Sequence, residues 1–237
     1  MKVSIIIPAH NEEKFIGDCL RSVKDAESEF GSPIEIVVCL NRCTDRTEEI
    51  ARSFGAIIIR EDAKNLSRIR NAAAAATTGD VLVTIDADSR MSKNMLSEIG
   101  RLLATGKFIG GGTRIKPERM SLGIFFSGLV ILYFAIRFGL KSAGLFWTHK
   151  KDFDAVGGFN ESLHSLEDLD FANRLSAHGK RHGLKYGTAW KALITTSCRK
   201  FDKFGDWYLV RNPKIVKALF SGADQVSANQ FYYDVKR

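Results

Sequence analysis

The first hundred residues alternate between short, continuously apolar runs and stretches of helical periodicity, and that alternation restricts the fold more than any other feature. Residues 3–7, 34–40, 56–59 and 81–85 read as strands apolar on both faces, which suits a sheet covered by helices on each side. Between them the pattern predicts a helix capped by Asn11 with Phe15, Cys19, Leu20 and Val23 on one side. It also predicts a helix opened by the capping pair Asp45 and Glu48, an Ala-rich helix through 70–76, and an amphipathic helix over 92–103. Strand–helix alternation implies right-handed crossovers, hence an α/β fold with a Rossmann-like, mostly parallel sheet flanked by helices. A chain of 237 residues with 45% apolar and 26% charged side chains can bury such a sheet; disorder, collagen and disulfide scaffolds are excluded.

After Gly110-Gly111-Gly112 the pattern changes. Residues 122–136 are strongly apolar and stop at Arg137, short of the roughly 20 residues a membrane span requires. Lys116 and Arg119 precede this run, and Arg137 and Lys141 follow it. Two readings stand side by side: an interfacial or lipid-facing helix, and a buried helix of the second half. A helix over 167–177, short strand pieces through 194–198 and helical residues 203–220, interrupted at Asn212-Pro213, complete the chain. With no repeat or linker, 1–237 reads as a single domain, residues 1–113 forming one half and 114–237 the other. The net charge of +8 favours anionic partners. The four cysteines form no paired framework, and the N-terminus lacks a signal-peptide pattern, so a cytoplasmic location is expected.

In open parallel sheets ligands sit beyond the carboxyl ends of the strands. Those positions hold Pro8-Ala9-His10-Asn11, then Asn41 to Asp45, then Asp86-Ala87-Asp88. A dinucleotide oxidoreductase would carry G-x-G-x-x-G after the first strand, where Glu12 and Glu13 would repel a phosphate. Walker A is also absent. Two carboxylates one residue apart at a strand tip repel each other, and a hard divalent cation such as Mg²⁺ or Mn²⁺ relieves that repulsion while taking further ligands from substrate phosphates.

Residues 3–13, VSIIIPAHNEE, resemble the opening of family 2 glycosyltransferases, whose fold is of the GT-A type. Three further segments are similar to that family's pattern: Asn41-Arg42-Cys43-Thr44-Asp45-Arg46-Thr47; Arg70-Asn71 ahead of Thr84-Ile85-Asp86-Ala87-Asp88; and Gly157-Gly158-Phe159-Asn160-Glu161 followed by Glu167-Asp168-Leu169-Asp170-Phe171. The resemblance implies inverting, metal-dependent transfer of a sugar from a nucleotide-diphosphate sugar to a hydroxyl acceptor, lipid-linked or a glycan. It implies that Pro8, Ala9, His10 and Glu12 lie at the nucleoside, that Arg70 reaches the base or a phosphate, that Asp86 and Ala87 contact the ribose or sugar, and that Asp88 meets Mn²⁺ or Mg²⁺. Asp168, beside Glu167, would be the general base. Where many members carry an aspartate for uracil, this chain has Leu40-Asn41, and the amide of Asn41 can donate or accept. The first half is then the nucleotide-sugar-binding half and the second the acceptor side.

Competing readings are a non-catalytic nucleotide-sugar binder, a sugar nucleotidyltransferase and a nucleic-acid-binding protein. Dispersed cations and carboxylate-bearing loops oppose the last. Among single residues, Trp147 suits either a sugar face or the core, and His149, Lys150 and Lys151 either a diphosphate or solvent. His178 and His182 have helical spacing, but Gly179 is expected to end the helix between them. Arg199, Lys200 and Lys203, with Trp207 and Tyr208, form a basic-aromatic patch facing phosphates, anionic lipid at the inner face of the membrane, or plain solvent.

Overall fold

The computed structural model describes residues 1–139, 141, 144–163 and 166–221. Its strands are β1 (Val3–Ala9), β2 (Ile34–Leu40), β3 (Ile57–Arg60), β4 (Val81–Ile85), β5 (Ser89–Met91), β6 (Phe108–Pro117), β7 (Leu145–His149) and β8 (Lys185–Thr196). They form one sheet in the order β3-β2-β1-β4-β7-β6-β8-β5. The helices are α1 (Ile16–Phe30), α2 (Thr47–Ser53), α3 (Leu66–Ala75), α4 (Met95–Ala104), α5 (Leu122–Arg137), α6 (Lys150–Ala155), α7 (Glu167–Arg181), α8 (Arg199–Phe204), α9 (Tyr208–Arg211) and α10 (Pro213–Ser221).

Both faces of the central strands are buried. Along β1, Ile5 and Ile7 point into the cluster formed with α1 and α4, while Ile6 points to the opposite cluster with α3 and α7. That alternation at period two explains why β1 reads as unbroken apolar sequence. The second cluster is aromatic: Phe159 stacks on Phe171 at 4.5 Å, and Phe146 meets Phe171 edge-on at 5.6 Å.

Strands β3, β2, β1 and β4 are parallel, as expected for 1–85. Beyond β4 the sheet becomes mixed, with β7 antiparallel to both β4 and β6. The strand-like pieces of the second half are one strand, β8, of 12 residues, parallel to β6 and antiparallel to β5. Its length was hidden because eight of its 12 residues are not buried, which breaks the apolar pattern.

Several local expectations change. Asn11 does not cap α1; it sits in the left-handed region at φ 51, and the helix starts at Ile16, after the Glu12 carbonyl accepts from the Phe15 and Ile16 amides. The cap of the Ala-rich helix is Asn65, whose side chain accepts from the Arg68 amide at 3.0 Å, so α3 starts earlier than 70. Helix α7 runs through Gly179 to Arg181. That glycine is needed for packing, since a Cβ there would lie 2.7 Å from the Ile109 side chain. The rings of His178 and His182 therefore stand 4.7 Å apart, and His178 Nε2 is 3.7 Å from Asp152.

Trp147 belongs to the core: it is wholly buried and its Nε1 donates to the Gly112 carbonyl at 2.9 Å. His149 pairs with Val81 at the start of β4, so the 149–151 turn lies at the opposite end of that strand from Asp86 and cannot reach a ligand there. Lys150 closes on Asp154 at 2.6 Å. Cys19, Cys39 and Cys198 are buried free thiols, and Cys43 is a free, half-buried one.

Helix α5 is capped by Ser121, which accepts from the Ile124 amide at 3.2 Å. The buried-helix reading of this segment fails. Only Gly123, Ile124 and Ser127 are buried, whereas Leu122, Phe125, Leu129, Leu132, Tyr133 and Ile136 are exposed. No described helix is long and apolar enough to cross a membrane. The helix is fixed at its N-terminal end, where Ser121 and Arg119 bind Asp206 and the Ser127 hydroxyl donates to the Asp206 carbonyl at 2.9 Å.

Candidate active site

Six segments converge at the carboxyl ends of β1, β2 and β4: the tips of those strands, the middle of α3, the start of α7 and the start of α8. Their centre is Arg70. Its side chain is 2% exposed, and it faces three carboxylates: Nη1 is 2.7 Å from Asp168 Oδ1 and 3.2 Å from Glu167 Oε1, and Nη2 is 3.0 Å from Asp86 Oδ1. The guanidinium carbon lies 5.1 Å from the centre of the Phe159 ring. A planar fork with several donors can do this where a lysine could not. Burial disfavours the guanidinium charge, but Asp168, Asp86 and Glu167 overcome it and hold the Arg70 pKa above its ordinary value.

The carboxylates respond in turn. Burial first, and the charge of Asp168 second, push Glu167 up to about 7 against the pull of Arg70. Asp86 is also raised, by desolvation and then by Asp88 and Asp168, although its side chain is 39% exposed. Asp168 bonds Arg70 through Oδ1, and its Oδ2 carries no protein hydrogen bond among the described residues. The residue before this pair, Leu166, holds a left-handed φ of 65 at the helix entrance, an uncommon conformation for a branched side chain.

A second cation completes the site. Arg199, at the start of α8, places Nη2 2.8 Å from Asp88 Oδ2 and Nη1 3.1 and 2.8 Å from the two oxygens of Glu12. Arg199 thus lies inside the strand-end cluster, not on the basic-aromatic surface patch to which its sequence neighbours point. The signal was available in principle, because Arg199 follows the end of β8 by three residues and strand ends are where ligands sit. It was missed because β8 did not read as one strand.

Pro8 and Ala9 are buried in β1, and Ala87 is buried between the two aspartates. His10 Nδ1 donates to the Asn41 carbonyl, bridging the tips of β1 and β2. Asn41 is 3% exposed, and its two amide hydrogens go to the Glu61 and Ala63 carbonyls, while Oδ1 accepts from Arg42. The loop at 157–161 is stapled to α3: Asn71 donates to the Phe159 carbonyl and accepts from the Phe159 amide, both at 2.8 Å. Gly158 permits this closeness, with φ of 62 and space in which a Cβ would meet Asn71 Oδ1 at 2.6 Å.

Residues 4–157, well over half of the chain, match the sequence model of glycosyl transferase family 2. The chain belongs to that family. Curated relatives include a low-salt glycan biosynthesis hexosyltransferase of Haloferax volcanii, 32% identical over 117 residues, which are 49% of this chain and 28% of that protein. A dolichyl-phosphate hexose transferase of the same organism is 30% identical over 116 residues, 48% of each chain. This family 2 chain thus aligns with less than half the length of either. Among solved structures, residues 1–349 of TarS from S. aureus superpose with a TM-score of 0.64 at 17% identity, covering 100% of this chain and 76% of TarS. Glucosyl-3-phosphoglycerate synthase from Mycobacterium tuberculosis, solved with Mn²⁺, UDP and phosphoglyceric acid, gives 0.57 at 18% identity over 95% of this chain and 80% of its own. These likenesses establish the GT-A fold for the family 2 chain.

Among the described residues no three His, Cys, Asp or Glu side chains are grouped to hold an ion alone. Arg70 pairs with Asp86, Glu167 and Asp168, and Arg199 with Glu12 and Asp88, while Asp88 Oδ1 accepts one long contact from Ser89 Oγ at 3.4 Å. Such a site fits a hard cation that takes one protein carboxylate and completes its shell with substrate phosphate and water.

Proposed function

We propose that this chain is a single-domain, inverting and metal-dependent glycosyltransferase moving a sugar from a nucleotide-diphosphate sugar to a hydroxyl acceptor. The observation that carries this reading is the single buried guanidinium of Arg70, which gathers Asp86 from the donor half and Glu167 and Asp168 from the acceptor half at one point. A donor sugar held at Asp86 then lies beside a carboxylate able to take a proton.

In the proposed reaction, Asp168 Oδ2 receives the proton of the acceptor hydroxyl as that oxygen attacks the anomeric carbon. The bond from that carbon to the diphosphate oxygen breaks, and its electron pair leaves with the nucleoside diphosphate on the opposite face, so configuration inverts. Proton transfer to a positioned base is worth about 10²–10⁴-fold. Arg70 fixes the direction of Asp168 and keeps Asp86 in place beneath the sugar. Asp88 would hold Mn²⁺ or Mg²⁺, which when bound stabilises charge on the departing diphosphate. Pro8, Ala9, His10, Glu12 and Ala87 would form the nucleoside wall. Asn41 shapes that wall by tying β2 to the 61–63 loop, its own hydrogens being spent.

The UDP in the glucosyl-3-phosphoglycerate synthase structure, and the UDP-GlcNAc in a further structure of TarS 1–349, support a UDP-type donor, and the names of the two Haloferax volcanii relatives support a lipid-linked or glycan acceptor. Hydrolysis or transfer assayed across UDP-, GDP-, CDP- and dTDP-sugars should show turnover that EDTA abolishes and Mn²⁺ or Mg²⁺ restores. Binding without metal-restored turnover of any donor would favour the non-catalytic binder, and pyrophosphate release from a nucleoside triphosphate would favour the nucleotidyltransferase.

A contact with the cytoplasmic face of an anionic bilayer belongs to the same proposal. The exposed side of α5, together with Val210 and Pro213, encloses an apolar groove of about 370 Å³. Phe126 stacks on the half-exposed Trp207 at 5.8 Å; Lys116 and Arg137 flank α5 in the sequence, and Arg211 and Lys214 are sequence neighbours of the lining residues Val210 and Pro213. An apolar face rimmed by cations is the pattern of an interfacial helix. Flotation with phosphatidylglycerol-containing vesicles should recover the wild type in the lipid layer. The double substitution Leu129→Glu/Leu132→Glu should leave it in solution without lowering Tm, because both side chains are about half exposed. A wild type that stays with the soluble fraction removes the bilayer from the proposal.

A further inference from the structure

We infer that Arg199 occupies Asp88 in the nucleotide-free protein where a divalent cation would otherwise sit, and yields it only when cation and nucleotide diphosphate arrive together. The inference rests on the glycosyltransferase reading above and assigns a residue that the strand-tip motifs leave out.

The Arg199 guanidinium divides its donors between two carboxylates. Nη1 serves both oxygens of Glu12, at 3.1 and 2.8 Å, and Nη2 serves Asp88 Oδ2 at 2.8 Å. The two partners differ in setting. Glu12 has a side chain only 4% exposed, and its backbone amide donates to Thr47 Oγ1 at 2.8 Å, so it is a fixed anchor. Asp88 is more open, at 14%, and is held independently of Arg199: its carbonyl accepts from the Ser197 amide at 3.1 Å and its Oδ2 from the Ser197 hydroxyl at 3.2 Å. The Phe15 ring centre lies 5.5 Å from the guanidinium carbon and further fixes its position. Arg199 can therefore leave Asp88 without leaving Glu12, and Asp88 can lose Arg199 without losing its place.

A guanidinium and a divalent cation cannot share one carboxylate at contact distance without strong mutual repulsion, so they compete for Asp88. In the free protein a cation must displace Nη2 with no anion ready to receive it. With a nucleoside diphosphate bound, the displaced Nη2 faces phosphate oxygens, a geometry that guanidinium recognises well. The exchange makes cation and nucleotide binding mutually dependent, and linkage requires each to raise the other's affinity by the same factor. It also ties the start of α8 to occupancy of the site, because Arg199 is the first residue of that helix.

The test is a Mn²⁺ titration of the full chain, followed by the electron paramagnetic resonance signal of free Mn²⁺, with and without UDP, GDP, CDP or dTDP. Wild type should bind Mn²⁺ weakly alone and much more tightly with the matching nucleotide. Arg199→Met should bind Mn²⁺ alone about tenfold or more tighter than wild type, because the competing charged hydrogen bond is gone. Its further gain from nucleotide should shrink correspondingly. Arg199→Lys should fall between, since one ammonium cannot grip Glu12 and Asp88 at once, and this milder change serves if Arg199→Met does not fold. Equal Mn²⁺ affinity of wild type and a folded Arg199 variant without nucleotide overturns the role of Arg199 alone. Wild type that takes up no Mn²⁺ even with nucleotide overturns the metal-dependent reading as well.

Discussion

Replacing Arg70 by methionine should lower the stability of the fold by about 3–5 kcal/mol, because removing one partner of a buried ion cluster leaves the others uncompensated. Methionine fills much of the volume and keeps contact with Phe159, so the loss reports charge more than a cavity. For a chain of this size the expected fall in Tm is on the order of 10 °C. Its pH dependence follows from the carboxylates. Glu167 already has a folded pKa of about 7, above its ordinary 4.5, so its favourable contribution is present below about 4.5 and is lost as pH rises through 7. Without Arg70 nothing offsets that charging. The difference between wild type and Arg70→Met should therefore be largest above pH 7 and shrink toward pH 5. Urea unfolding at both pH values measures it. Curves that nearly coincide at pH 8 would mean that Asp86, Glu167 and Asp168 do not depend on Arg70.

Asp168→Asn is expected to reduce sugar transfer by about 10²–10⁴-fold, the typical contribution of a positioned base, while nucleotide affinity stays within about twofold. Asparagine is nearly isosteric, and its amide oxygen can still accept from Arg70, so geometry is largely kept while the free basic lone pair of Oδ2 disappears. Glu167→Gln should have the smaller effect, because the side chain of Glu167 is 14% exposed against 24% for Asp168 and lies further from solvent and from any incoming hydroxyl. Single-turnover kinetics and nucleotide binding on both variants decide the matter. Should Glu167→Gln carry the large loss instead, the base is Glu167 and Asp168 is its positioning partner.

Much of the donor side of this site was legible from the chain, because it lies where strands end and those strands are fully buried. Strand β4 begins and ends at the residues the apolar run marks, which puts Asp86 and Asp88 just past its tip. Glu167 and Asp168 open a helix as their pattern indicates. What the pattern did not convey was their direct union with Arg70 across nearly a hundred residues of sequence, since no local periodicity encodes which charges meet. The second half was harder to follow. Antiparallel β7, half-covered β8 and the exposed apolar side of α5 all depart from the rule that apolar means buried. Arg199 shows the consequence most clearly: amid Lys200, Lys203 and Trp207 it looks like surface, and only the pairing of β8 with β5 carries it to Asp88.

By itself the sequence determined the parallel half of the sheet, the strand ends that face one edge, and the family to which the chain belongs. Those follow from short-range order: period-two burial on both faces of each strand, turn chemistry after it, and motifs contiguous along the chain. Only the tertiary structure decided which carboxylates share a counter-ion, that Trp147 is core, that Asn41 has spent its hydrogens, and that Arg199 stands on Asp88. Electrostatic pairing between segments far apart in sequence depends on distances of a few ångströms set by packing, and packing is a property of the whole fold.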